Sequence, residues 1–99
     1  MSLPLRFNSC LPADLHNVMA FYERESGASL ANALYDELMK RIAQVQENPK
    51  QFSFSVGDRK RVKLERFPYH FLYRFKPNCV RVLVLRHHKR NPNYGMRRL

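Results

Sequence analysis

The side chains best suited to binding or reacting with an anion are concentrated in the last two-fifths of this 99-residue sequence. Residues 1–58 carry 5 basic and 7 acidic side chains, a net charge of −2, whereas residues 59–99 carry 13 basic and 1 acidic, a net of +12. A positive field concentrated in this way attracts polyanions, and nucleic acid is the commonest of these inside cells. An acidic protein partner is the second candidate. If the charge served solubility alone, the two halves would not need to differ so strongly.

The spacing of these residues limits the chemistry that they can do. Arg61 and Lys63 are two residues apart in an alternating segment, so on a strand they share one face. The simpler interpretation is that they form the solvated face of an amphipathic strand. His87 and His88 are adjacent, so on extended backbone their rings point to opposite sides and at most one faces a common site. Adjacent histidines without a nearby cysteine or carboxylate are poor metal ligands, and we predict neither a metal nor another cofactor.

Two amphipathic helices are expected to support this basic segment. The first begins near Pro12 and ends near Ser26-Gly27, where glycine suits a left-handed cap. The second begins at about Ser29, whose hydroxyl can cap it, and ends at Asn48-Pro49. Because two or three residues separate the helices, they should form an antiparallel hairpin. The apolar stripes are Leu15, Val18, Met19 and Tyr22 on the first helix, and Leu30, Leu34, Leu38, Ile42 and Val45 on the second.

After Pro49 the apolar period changes from 3.6 to 2, which is typical of strands. Strands are predicted around residues 61–65, 69–75 and 79–86, with a short edge strand within residues 5–9. In the last long strand Val80, Val82 and Val84 should share one face and Arg81, Leu83 and Leu85 the other. Apolar residues on both faces predict a central strand that the helices cover on at least one side. The tail from His87 to Leu99 is polar and basic and is expected to be extended or partly mobile.

Together these elements predict one α+β domain over residues 1–99, with an N-terminal helical hairpin packed on a small, mainly antiparallel sheet. The hairpin should span about 12–48, the sheet about 56–87 and the basic tail 88–99. The longest apolar run, residues 82–85, is far shorter than the roughly 20 residues of a membrane span. We see no signal peptide and predict a cytoplasmic protein. Cys10 and Cys79 lack metal-ligand spacing and are expected to be buried thiols.

Several local motifs follow one another in an order that resembles a known family. The second helix closes on Glu47-Asn48-Pro49, residues 61–69 read RVKLERFPY, and Tyr73-Arg74 follows on the next strand. Residues 82–94 then resemble the ending VLxVxHxRRxPxY. In these motifs the chain resembles the RelE/ParE superfamily, the toxins of bacterial type II, plasmid stabilisation-type toxin–antitoxin systems. The resemblance covers nearly the whole chain and implies the same fold.

The resemblance leaves open whether the protein is an enzyme. Ribosome-dependent members of the superfamily cut messenger RNA without a metal, by attack of a 2′-hydroxyl on the adjacent phosphate. If this chain is RelE-like, the resemblance implies the catalytic set Arg61, Lys63, His70, His88, Arg90 and Tyr94, with histidine or tyrosine carrying protons. The other basic positions would bind the nucleic acid or the target protein: Arg59, Lys60, Arg66, Arg74, Arg86, His87 and Lys89. Arg66 and Arg74 could instead be structural, paired with helix carboxylates such as Glu47 or Asp36.

ParE-like members instead inhibit growth by binding DNA gyrase and need no catalytic residues. The RFPY motif and the replacements at Arg61 and His70 favour the ParE-like interpretation, whereas Tyr94 and the basic tail keep the nuclease open. Gly95 stands where relatives often have tryptophan. A non-toxic nucleic-acid-binding module is the third alternative. Both toxin interpretations imply a cognate antitoxin with an acidic, amphipathic segment, and a homodimer or a hetero-oligomer with that antitoxin.

Overall fold

Two helices and one five-stranded sheet make up residues 3–99, the part of the chain that this computed structural model describes. In chain order the elements are β1 (Leu5–Phe7), α1 (Leu11–Ser26), α2 (Ala28–Glu47), β2 (Phe54–Val56), β3 (Arg59–Lys63), β4 (Tyr69–Lys76) and β5 (Cys79–His87). The strand order is β1-β5-β4-β3-β2, and β1 is parallel to β5 while the other neighbours are antiparallel. The predicted α+β class and mainly antiparallel sheet are confirmed.

The junction between the helices is tighter than the sequence predicts, because Gly27 alone separates them. Gly27 has φ 92° and ψ 166°, a conformation essentially limited to glycine but not the left-handed helical cap that we expected. Its N–H donates to the carbonyl of Glu23 at 3.0 Å. Because α2 begins at Ala28, Ser29 lies within the first turn, and within residues 3–99 no side-chain hydrogen bond caps this helix. The predicted Ser29 cap was therefore wrong.

The predicted helical stripes form the core against one face of the sheet. Leu34, Leu38, Ile42 and Val45 are each no more than 1% exposed, while Leu30 at the start of the stripe is partly buried. From α1, Val18 is buried, and Leu15, Met19 and Tyr22 pack around the same cluster. The sheet contributes a matching row of fully buried side chains, namely Val62, Phe71, Tyr73, Val80 and Val82.

A one-residue irregularity in β5 gives the sheet a second apolar face. Leu72 pairs with Val84 and Tyr73 with Val82, so Leu83 is an extra residue in β5, which is the pattern of a β-bulge. The bulge reverses the side-chain alternation after Leu83. Val84 therefore joins Leu72 and Leu83 in a separate cluster, and Leu85 joins the helix-side core. The predicted strict alternation along this strand was wrong for that reason.

The basic tail folds back and covers this second apolar cluster. Tyr94 and Met96 pack against Leu72, Leu83 and Val84, and residues after 88 form a series of turns. The expected extended tail was wrong, because a central strand with apolar side chains on both faces needs cover on both. The predicted burial of the cysteines was also wrong. Both thiols are free, but Cys10 is exposed and Cys79 partly exposed.

Gly95 allows the tail to approach the sheet closely. It has φ 78°, and a Cβ built there would lie 2.6 Å from Cγ2 of the buried Val84. Gly95→Ala should therefore lower the free energy of unfolding by about 1–3 kcal/mol, through overpacking and backbone strain. Chemical denaturation measures this change. Gly57→Ala is the matched control, since Gly57 also has a positive φ of 58° but nothing within 4 Å of the new methyl. Equal losses in both variants would show that contact with Val84 is unimportant.

Neither helix in the described residues 3–99 combines the length and the hydropathy needed to cross a membrane.

Candidate functional site

The strand register places most of the strand cations on the sheet face opposite the helices. Arg61 pairs with Leu72, Lys63 with His70, and His70 with Arg86. Paired residues share a face, and Leu72 belongs to the cluster under the tail rather than to the helix-side core. We call this surface the basic face. Its strand cations are Arg6, Arg59, Arg61, Lys63, Arg74, Lys76, Arg81 and Arg86.

A chain of hydrogen bonds on the basic face links a buried arginine to an exposed histidine. Arg86 Nε donates to His70 Nε2 at 2.9 Å, and His70 Nδ1 lies 2.9 Å from His88 Nδ1. Arg86 has no lone pair to offer, so His70 Nε2 must be unprotonated and its hydrogen lies on Nδ1. That hydrogen is donated to His88 Nδ1, which leaves the His88 hydrogen on Nε2. The two rings lie nearly parallel, with an interplanar angle of 8° and centroids 5.2 Å apart.

The electrostatic surroundings keep both of these histidines neutral at physiological pH. Burial lowers the pKa of His70 to about 4, with further contributions from the charges of Arg86, His88, Arg61 and Lys63. The pKa of His88 is also lowered, first by desolvation and then by Lys63, His87 and Arg61. At neutral pH each imidazole is therefore uncharged and has one N–H donor, whereas an imidazolium would have two.

Arg86 holds the tail as well as the histidine. It is 7% exposed, and its Nη1 donates to the carbonyls of Pro92 and Tyr94 at 2.8 and 2.9 Å. Desolvation lowers its pKa, with a smaller effect from Arg61, yet an arginine keeps its charge in proteins. Its guanidinium is thus a fixed buried cation beneath the basic face, not a mobile surface group.

Asp14 of α1 is a buried anchor for the tail that the sequence predictions did not include. Its side chain is 2% exposed and forms an ion pair with Arg98. The same carboxylate accepts hydrogen bonds from the Tyr94 hydroxyl at 2.7 Å and from the Leu85 backbone N–H at 3.1 Å. The hydrogen bond to Asp14 raises the pKa of Arg98. A signal was available, because Asp14 lies three residues after Leu11 and four before Val18, inside the apolar stripe of α1.

Other predicted site residues have structural partners. Lys60 is 5% exposed, and its Nζ donates to the Phe52 carbonyl at 2.5 Å on the helix side of the sheet. Arg74 forms an ion pair with Asp58 at 2.8 Å, and Arg59 lies 3.7 Å from the same carboxylate. The predicted partner of Arg74 was therefore wrong, since Asp58 lies in the β2–β3 turn and not on a helix.

The connection between β3 and β4 is tied to α2 by Glu37. Its carboxylate accepts the backbone N–H groups of Glu65 and Arg66. The Arg66 guanidinium lies 5.7 Å from the centroid of the Phe67 ring, so it is positioned by an aromatic face. Arg66 thus sits at the turn rather than within the row of strand cations on the basic face.

The side chains of residues 87–90 differ in whether they lie on the basic face. His87 packs edge-on against Tyr69 with ring centroids 5.0 Å apart, while His88 lies edge to edge with His70, so the two adjacent rings have different main neighbours. Lys89 is exposed, and Arg90 is exposed with its guanidinium 4.1 Å from the centroid of the Tyr94 ring. The accessible cations whose charges act on His88 are Arg61 and Lys63, whereas Arg90 lines a pocket with His87 and Asp14. Two cations beside an imidazole are suited to binding an anion.

Comparison with known proteins addresses the fold. No protein-family model and no curated protein matches the sequence. Among solved structures, a chain described as "Chromosomal ParDE TA system from P. aeruginosa" superimposes with a TM-score of 0.76 at 19% sequence identity. The match covers 87% of this chain and 96% of that chain. The protein therefore has the fold of a ParDE-system chain, as its resemblance to the RelE/ParE superfamily predicts.

Proposed function

We propose that this protein is the toxin of a type II toxin–antitoxin system and that it inhibits growth by binding DNA gyrase. The ParDE-like fold supports the toxin class. The observation that favours a binding mechanism is the structural use of the predicted proton carriers. The Tyr94 hydroxyl is bonded to Asp14 and Arg98, and His70 is 3% exposed and bonded to Arg86. A gyrase-binding toxin needs surface contacts and no free acid and base.

A RelE-like messenger RNA endoribonuclease is the second candidate, and one observation favours it. Arg61, Lys63 and His88 lie together on the basic face, where cations stabilise the charge that develops on an attacked phosphate. A nuclease would then use His88, the exposed member of the histidine pair, for proton transfer. Arg90, placed over the Tyr94 ring, would contribute charge only.

We propose a cognate antitoxin with an acidic, amphipathic segment as the partner, acting in the cytoplasm. The basic face offers charge complementarity to the acidic side chains, which accelerates encounter. An apolar groove of about 210 Å³ between the helices and β1 suits the apolar side chains of such a segment. It contains Phe7 and Tyr35, which are 42% and 41% exposed.

Induced expression in bacterial cells, combined with a supercoiling assay, tests the gyrase proposal. We expect growth arrest with filamentation and a DNA-damage response, intact transcripts, and inhibition of purified gyrase by the purified protein. The double variant Tyr94→Phe, His88→Ala should retain inhibition of gyrase if it folds, since no proton transfer is involved. Transcripts cut on translating ribosomes, with gyrase unaffected, would support the nuclease instead. Healthy cells after confirmed expression would contradict both toxin hypotheses and would favour the third alternative, a non-toxic nucleic-acid-binding module.

Co-expression with the neighbouring open reading frame tests the partner. A short acidic product should restore growth and form a complex with the toxin that survives gel filtration, which also reports whether a homodimer or a hetero-oligomer forms. Growth arrest that such a product fails to relieve would contradict the antitoxin proposal.

A further inference from the structure

The outer edge of β5 is uncovered beyond the end of β1. The two strands pair only over residues 80–82 of β5, and past this point no strand within residues 3–99 flanks that edge. The Leu83 carbonyl instead accepts from the Arg98 guanidinium at 3.1 Å, and the Leu85 N–H donates to the Asp14 carboxylate at 3.1 Å. Side chains rather than a strand therefore satisfy this part of the edge.

The hydrogen-bond pattern of β5 directs two more backbone groups to the same edge. The N–H and carbonyl of one residue in an antiparallel strand point to the same side, so the Leu85 carbonyl also points away from β4. His87 lies two residues further along and has the same orientation. Its carbonyl accepts the N–H of Arg90, outside the sheet, at 2.9 Å. The edge thus presents an acceptor, the Leu85 carbonyl, followed by a donor, the His87 N–H.

The residues that carry these backbone groups line a cleft of about 250 Å³ between α1 and the tail. We call it the edge cleft, and its lining includes Phe21, Tyr69, Leu85, His87, Arg90 and Tyr94. Phe21 is 43% exposed. Arg90 is also exposed, and its guanidinium lies 4.1 Å from the centroid of the Tyr94 ring. The edge cleft therefore combines an accessible aromatic face, a strand edge and an exposed cation.

We propose that the edge cleft binds the adenine base of a free mononucleotide. The N6 amine of adenine donates to the Leu85 carbonyl, and the neighbouring ring nitrogen accepts from the His87 N–H, so donor meets acceptor at both positions. Phe21 offers a face for stacking the base, and Arg90 offers a charged donor to the phosphate. The proposal goes beyond the proposed function, since neither inhibition of gyrase nor cleavage of RNA requires a bound free nucleotide.

Calorimetric titration of the purified chain with adenosine monophosphate (AMP) and inosine monophosphate (IMP) tests how the base is recognised. IMP has the same size and charge but a carbonyl in place of the amine, which puts two acceptors opposite each other at Leu85. It should therefore bind at least about 10-fold more weakly than AMP. In NMR spectra, AMP should shift the His87 amide resonance and slow its exchange with solvent. Equal affinities for AMP and IMP, or no binding of AMP, would overturn the proposal.

Side-chain variants locate the binding in the edge cleft. Phe21→Ala should weaken AMP binding about 10-fold through lost stacking. Arg90→Gln should weaken AMP binding about 3- to 10-fold but change the affinity for adenosine, which lacks the phosphate, by less than about 2-fold.

Tyr35→Ala is the matched control, because Tyr35 is a 41% exposed aromatic residue that lines the apolar groove and not the edge cleft. It should leave the affinity for AMP unchanged. Equal losses in Tyr35→Ala and Phe21→Ala would contradict the location. If Phe21→Ala does not fold, Arg90→Gln and the comparison of AMP with IMP on the unmodified chain still decide.

A short adenine oligonucleotide distinguishes a free nucleotide from a base within a strand. In competition with AMP, observed at the His87 amide, a tetranucleotide should be no more than about 2-fold stronger, because the edge cleft has one exposed cation to meet a phosphate. Much stronger competition, lost in Phe21→Ala, would overturn the assignment to a free nucleotide. These measurements use the purified chain and nucleotides alone, so their failure is distinguishable from an absence of growth arrest or of gyrase inhibition.

Discussion

Asp14→Ala is expected to lower the free energy of unfolding by about 3–5 kcal/mol, the range typical of removing one partner from a buried ion pair. The carboxylate is almost fully buried and is shared by Arg98, the Tyr94 hydroxyl and the Leu85 N–H. Its removal leaves a charge and two donors without their acceptor, in a position that water reaches poorly. Urea denaturation of the purified variant measures the loss.

Asp36→Ala is the matched control, because it removes an exposed carboxylate from the other helix and should change the stability by less than about 0.5 kcal/mol. The loss of unfolding free energy in Asp14→Asn should lie between the losses in Asp14→Ala and Asp36→Ala, since asparagine keeps an acceptor oxygen but lacks the charge. Hydrogen exchange should also show faster exchange at the Leu85 amide in Asp14→Ala. If Asp14→Ala were as stable as Asp36→Ala, Asp14 would not anchor the tail.

Acidification between pH 6.5 and about pH 4 is expected to destabilise the protein by about 2–3 kcal/mol through His70 alone. The pKa of His70 is about 4 in the folded protein, whereas an unfolded histidine has its ordinary value near 6.5. Between these values the unfolded chain binds a proton that the folded chain rejects, so stability falls as the pH falls. Well above pH 6.5 the histidine is neutral in both the folded and the unfolded chain, so this contribution no longer changes with pH. Denaturation curves at a series of pH values measure it.

Comparison with His70→Gln isolates this contribution, because His88 and the carboxylates titrate in both proteins. The difference in unfolding free energy between the two proteins should narrow as the pH is lowered from 7 to 4. The reason is that His70 gains a proton in the unfolded chain and thereby stabilises the unfolded state. Parallel curves over this range would show that His70 titrates equally in both states. NMR titration of the His70 ring would then give a pKa close to that of a free histidine.

The helical hairpin and the positions of the three long strands along the chain were predictable, because they depend on local periodicity. The stripe from Leu34 to Val45 repeats at three- and four-residue spacing, and the segment around Val62 alternates. The predicted segregation of charge was likewise visible, since Arg61 and Lys63 must share a face on any strand. Lys60 was assigned to the anion-binding set because its neighbours are basic, but the alternation of β3 directs it to the helix side.

The sequence by itself thus determined the helices, the three long strands and the half of the chain that carries the positive charge, since each follows from residues close together along the chain. It did not predict the short strand β2. Only the tertiary structure decided the bulge at Leu83, the return of the tail over it, and the joining of Asp14 to Arg98 and of Arg86 to His70 and His88. These contacts link segments that are distant in sequence, and one extra residue in a strand reverses every side chain after it. Neither the long-range contacts nor the bulge can be predicted from local sequence patterns.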